Sequence, residues 1–66
     1  MIGTVKKVTK ERGFGFIRAE DGTEYFFHQS ELRGGLKFDE LKEGQRVSFQ
    51  TREGEKGPRA ADVNPA

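Results

Sequence analysis

Gly13-Phe14-Gly15-Phe16 and Tyr25-Phe26-Phe27-His28 are the two stretches of this chain whose residue types and spacing could do chemistry. On extended backbone successive side chains point to opposite faces. Phe14 and Phe16 therefore share one side, opposite Gly15 and Ile17. In the second stretch Tyr25 and Phe27 share one side, and Phe26 and His28 the other. Adjacent strands carrying these residues would present three phenyl rings and an imidazole on one face. Such a face can stack on other π systems. Nucleobases stack on aromatic side chains at about 1–3 kcal/mol per base, with little sequence preference because every base has a π face. Lys6, Lys7, Lys10 and Arg12 precede or flank the first stretch and could track phosphates. Two alternatives stay open on pattern alone. A one-residue slip in register exchanges Phe26 with Phe27. Phe14 and Phe16 could also face a core with Ile17 outside, although Gly-Phe-Gly-Phe then leaves little but hydrogen atoms on the other face.

Other chemistries lack parts. There is one His and no Cys, so neither a disulfide framework nor a cysteine zinc site is available, and no metal or cofactor is expected. Ser30 follows His28 by two residues, which puts both on one side of a strand. No third member completes a nucleophile, base and orienting acid. No phosphate-loop or dinucleotide glycine pattern occurs. The expectation is a binding protein, not an enzyme.

The elements that would carry these residues are short strands. The chain has 66 residues, 35% of them charged and 32% hydrophobic, with a formal net charge of +1. A domain this small buries only about 60% of the surface its unfolded chain exposes, so six Phe with no Trp is a biased way to supply a core. Nine glycines interrupt the chain at intervals that suit a small sandwich or barrel. Strands are expected at 3–9, 14–19, 24–28, 46–52 and 59–63. Asp21-Gly22 signals a hairpin between the second and third. The loop 53–58 joins the fourth and fifth, and residues 33–45 form a long connection, a kind of segment that is often functional. Val5, Val8, Ile17, Tyr25, Phe27, Leu32, Leu41, Val47, Phe49, Ala61 and Val63 suffice for the core. Phe38, in the long connection, reads equally as an anchor beneath the loop or as an exposed stacking ring.

Charge is unevenly distributed. Residues 1–18 hold five basic side chains against Glu11, a net +4, whereas residues 19–45 hold three basic and seven acidic, a net −4. A basic first third suits a polyanionic partner. The N-terminus has no apolar signal segment, and no apolar run reaches membrane-spanning length, so a cytoplasmic protein is expected.

Taken together, these motifs resemble the bacterial cold-shock protein family. Arg12-Gly13-Phe14-Gly15-Phe16-Ile17 is similar to its first ribonucleoprotein motif and Tyr25-Phe26-Phe27-His28 to its second. Leu41 through Phe49 and Lys56 through Val63 resemble its last two strands and their approaches. The resemblance covers essentially the whole chain, 1–66, as a single cold-shock domain. It implies an all-β fold, a five-stranded antiparallel OB-fold β-barrel that binds single-stranded RNA and single-stranded DNA. It further implies an RNA chaperone that prevents or melts secondary structure, with regulation of transcription or translation in cold adaptation. By position, Phe14, Phe16, Phe26, His28 and Phe38 match base-stacking residues, and Lys6, Lys10 and Arg59 match polar or basic positions of the binding face. The resemblance makes Phe26 the outward ring. A monomer is expected.

Three departures stand out. Lys6-Lys7-Val8-Thr9 occupies the place of Lys-Trp-Phe-Asn, so Lys7 replaces a stacking Trp. Gln29 replaces an aromatic after the motif histidine. The loop before Phe38 is about one residue longer than usual. The family comparison therefore implies weaker, more electrostatic binding. It also leaves open a second class, an OB-fold protein-interaction module with reduced nucleic-acid affinity.

Overall fold

The computed structural model describes residues 1–54 and 57–66. Five strands follow one another: β1 (Ile2–Thr9), β2 (Phe14–Ala19), β3 (Glu24–His28), β4 (Arg46–Gly54) and β5 (Gly57–Pro65). They close into a barrel in the order β1-β2-β3-β5-β4. All pairings are antiparallel except β3–β5, a parallel seam joined at Phe26 and Arg59. The last two strands run beyond their expected ends. The part of the expected 53–58 loop at positions 55 and 56, and with it Lys56 of the fifth-strand motif, lies outside the described residues.

The tight β2–β3 connection forms where Asp21-Gly22 signals it. Gly22 N–H donates to the Ala19 carbonyl at 2.9 Å, and Thr23 N–H to Asp21 Oδ1 at 2.9 Å. Hydrogen bonds from the Thr23 amide and then its hydroxyl hold the Asp21 carboxyl below the usual carboxylate range. A depressed acid favours the folded state above its unfolded pKa and loses that contribution as pH falls through the folded value.

β2, β3 and the first half of β4 bury alternate residues, whereas β5 buries the adjacent Ala60 and Ala61. Val5, Ile17, Ala19, Tyr25, Phe27, Phe38, Leu41, Val47, Phe49, Ala60 and Val63 form one cluster, with Val8, Leu32 and Leu36 half-buried against it. Phe27 and Ile17 are wholly enclosed. Burying an aromatic or branched side chain of this size is worth about 1.5–3 kcal/mol. Strict alternation cannot turn both Val5 and Val8 inward. A β-bulge resolves this: Val5 pairs with Ile17, but Lys7 pairs with Phe16, which leaves Lys6 as the extra residue. A second irregularity lies between Ser48 and Gln50 of β4, opposite Asp62, which adopts φ +49°.

Gly15 faces the interior. A Cβ there would meet the Phe27 ring at 2.8 Å and also collide with the Lys7 carbonyl. The core ring of β3 thus fills the room that the β2 glycine leaves.

The long connection contains two short 3-10 turns, Gln29–Glu31 and Phe38–Glu40. Phe38 is a correction to the expected stacking set. It is 8% exposed and meets the Phe27 ring edge-on with centroids 6.4 Å apart. The 3-10 turn at Phe38–Glu40 turns the ring inward, where it joins the core cluster.

Candidate nucleic-acid interface

Strand register builds the outer face row by row. Lys7 pairs with Phe16, Phe16 with Phe26, Phe26 with Arg59, and Arg59 with Arg52. The neighbouring row runs from Thr9 through Phe14 to His28. Partnered residues in adjacent strands point to the same side of a sheet. The β1 bulge is what puts Lys7 in the ring row; without it, Lys7 would turn to the opposite face.

Phe14, Phe16 and Phe26 form a continuous cluster. Phe14 and Phe26 have centroids 5.2 Å apart at 41°, Phe16 and Phe26 5.9 Å at 73°, and Phe14 and Phe16 6.2 Å at 86°. Tilted and edge-to-face pairs of this kind contribute about 0.5–1.5 kcal/mol beyond area burial. The rings are half-buried rather than fully exposed, because each covers part of the others. Mutual packing keeps the rings in place with one side open to solvent.

His28 is half-buried at the end of β3, where Ser30 N–H donates to its Nδ1 at 3.1 Å; Ser30 Oγ lies 3.0 Å from the same nitrogen. This caps the first 3-10 turn. Nδ1 accepts, so Nε2 carries the proton of the neutral ring. Among the described residues Nε2 has no hydrogen-bond partner. Gln29 is drawn back over the β1–β2 turn, its N–H donating to the Gly13 carbonyl at 2.9 Å.

The basic residues divide. Lys7, Arg12 and Arg59 are exposed beside the rings. Lys6 is exposed at the bulge and has no partner across the ladder. Lys10 reaches away, donating through Nζ to the Asp39 carbonyl at 3.0 Å. It ties the turn that holds Phe38 to the end of β1.

An open groove of about 930 Å³ runs along the rings, lined by Arg12, Phe14, Phe16 and Phe26 on one side and by Glu53, Gly54, Gly57, Pro58 and Arg59 on the other. Of the second wall, only Arg59 is expected from the sequence, through the family resemblance. The wall's residues reach the rings only through the parallel β3–β5 seam, which no local pattern announces. Among the described residues no three His, Cys, Asp or Glu side chains gather where they could hold a metal ion.

The family model of the ‘Cold-shock’ DNA-binding domain matches residues 1–66. The chain is 44% identical over 63 residues to "Cold shock protein 2" of Lactiplantibacillus plantarum, covering 96% of this chain and 94% of that one. It is 48% identical over 61 residues to "Cold shock-like protein CspD" of Bacillus cereus, covering 92% and 91%. Among solved structures, "drosophila Unr CSD456" superposes with a TM-score of 0.77 at 26% identity, covering 98% of this chain and 26% of that much longer one. That neighbour agrees with an OB-type fold for this five-stranded ring. The chain belongs to the ‘Cold-shock’ DNA-binding domain family.

Proposed function

We propose that this protein captures single-stranded RNA and single-stranded DNA on the outer face of β1, β2 and β3 and acts as an RNA chaperone. The observation that carries this reading is the cluster of Phe14, Phe16 and Phe26, whose rings pack against each other on the outside of a closed barrel beside Lys7, Arg12 and Arg59. Half-exposed contiguous rings are costly to leave in water and mark a binding surface. A transiently open strand stacks about three or four bases here and cannot re-pair while bound. His28 adds a fourth surface and a free N–H donor at the end of the row. Capture of this kind needs neither ATP nor a catalytic step. Acting as a monomer in the cytoplasm, the domain would bind and release transcripts during cold adaptation and so affect transcription or translation.

Four stacking surfaces at the low end of the scale give about 4–6 kcal/mol. Phosphate contacts add to this and immobilisation of the strand opposes it. Affinity near micromolar, about −8 kcal/mol, follows. A labelled oligothymidine titrated at several salt concentrations tests the reading. Log affinity should fall against log salt with a slope of about −0.7 per phosphate contacted. The matching duplex should bind far more weakly. Equal binding of duplex and single strand would remove stacking as the mechanism. No binding of either would favour a protein-interaction role.

A further inference from the structure

Arg59 pairs with Phe26 across the parallel β3–β5 seam. Its side chain lies across the neighbouring strand at Gly54. A Cβ built on Gly54 would stand 2.6 Å from Arg59 Cδ and 2.9 Å from Cγ, closer than real Cβ atoms come. The bare glycine is therefore the channel through which the arginine stem passes. The guanidinium carbon ends 5.9 Å from the centroid of the Phe26 ring, a cation–π contact. Among the described residues no carboxylate pairs with Arg59.

We propose that Phe26 and Arg59 are the two walls of a nucleobase slot, with Gly54 as the residue that positions the second wall. The proposal rests on the outer face being the nucleic-acid interface. A base entering the groove takes the guanidinium's place on the Phe26 ring, and the displaced planar guanidinium then covers the base's other face. Contact is with π faces rather than base edges, so the slot accepts any unpaired base, purine or pyrimidine. Arginine is required for this and lysine is not equivalent. Guanidinium is planar and stacks, whereas ammonium is a compact charge on a flexible stem. A simple phosphate contact would be served by either cation.

The test uses the full chain and its Arg59→Lys and Gly54→Ala variants. Each is titrated with a labelled heptathymidine and with heptamers carrying one abasic position scanned along the strand, at several salt concentrations. Both variants should bind the intact heptamer about three- to tenfold more weakly. Arg59→Lys should keep the wild-type salt slope, since its charge is unchanged. On the heptamer whose abasic position falls in the slot, wild type and Arg59→Lys should bind equally. Arg59→Lys binding every heptamer as the wild type does would overturn the slot, as would a loss that persists on every abasic heptamer. Either result would leave the interface itself intact. Failure of the wild type to bind the intact heptamer would overturn the interface and the slot together. Thermal unfolding checks that Gly54→Ala folds; if it does not, Arg59→Lys on the abasic series still decides.

Discussion

Six phenylalanines in one small chain divide into two working groups, and their direction relative to the sheet decides which. Phe27, Phe38 and Phe49 are buried, while Phe14, Phe16 and Phe26 are half-buried on the outside. Adjacent residues in β3, Phe26 and Phe27, fall into different groups for no reason but strand parity. Phe38 could not be assigned in this way, because it lies in a loop without a strand period. Truncation should separate the groups cleanly. Phe26→Ala should cost more than about 1 kcal/mol of oligonucleotide binding, roughly one stacked base, with little loss in thermal stability. Phe38→Ala should lower stability by about 3–5 kcal/mol, as for a core Phe, when followed by denaturant unfolding. Marked unfolding of Phe26→Ala, or an unchanged midpoint for Phe38→Ala, would reverse the assignment. Phe14 and Phe26 touch, so their binding losses should not add.

At the scale of elements, β1 departs most from its neighbours in kind. Its bulge at Lys6 lets Val5 and Val8 both turn inward and moves Lys7 into the row of Phe16 and Phe26. Strand positions, the β2–β3 hairpin and most of the core were legible in the sequence, since they follow from alternation, glycine spacing and Asp21-Gly22. The bulge was not read, although Val5 and Val8 in one core already break the period of two and mark the stretch where it lies. Nor was the use of Lys10, which holds the Phe38 turn instead of standing free. Lys7 now occupies a place where an aromatic ring would extend the stacking row. Lys7→Trp should tighten oligothymidine binding and make the salt slope shallower by about 0.7, one phosphate contact fewer. Unchanged affinity and slope would mean that Lys7 lies outside the path of the strand.

For the whole molecule, the principal-axis extents are 24 × 23 × 18 Å, so a strand crossing one face meets only a few bases' worth of surface. The candidate site is a face rather than a cavity, assembled from β1, β2, β3, the end of β4 and the start of β5. Half of it could be read from two aromatic motifs. The other wall, formed by Glu53, Gly54, Gly57, Pro58 and Arg59, joins through a non-local parallel seam that sequence spacing does not encode. The acidic middle of the chain supplies the contrast: Glu20, Asp21, Glu24 and Glu43 are exposed and repel a polyanion. A backbone amide chemical-shift map of the protein titrated with oligothymidine tests the central claim most directly. The large shifts should fall on Lys7, Arg12, Phe14, Phe16, Phe26, His28 and Arg59. Shifts centred instead on Glu20, Asp21, Glu24 and Glu43, with the ring residues unmoved, would contradict it.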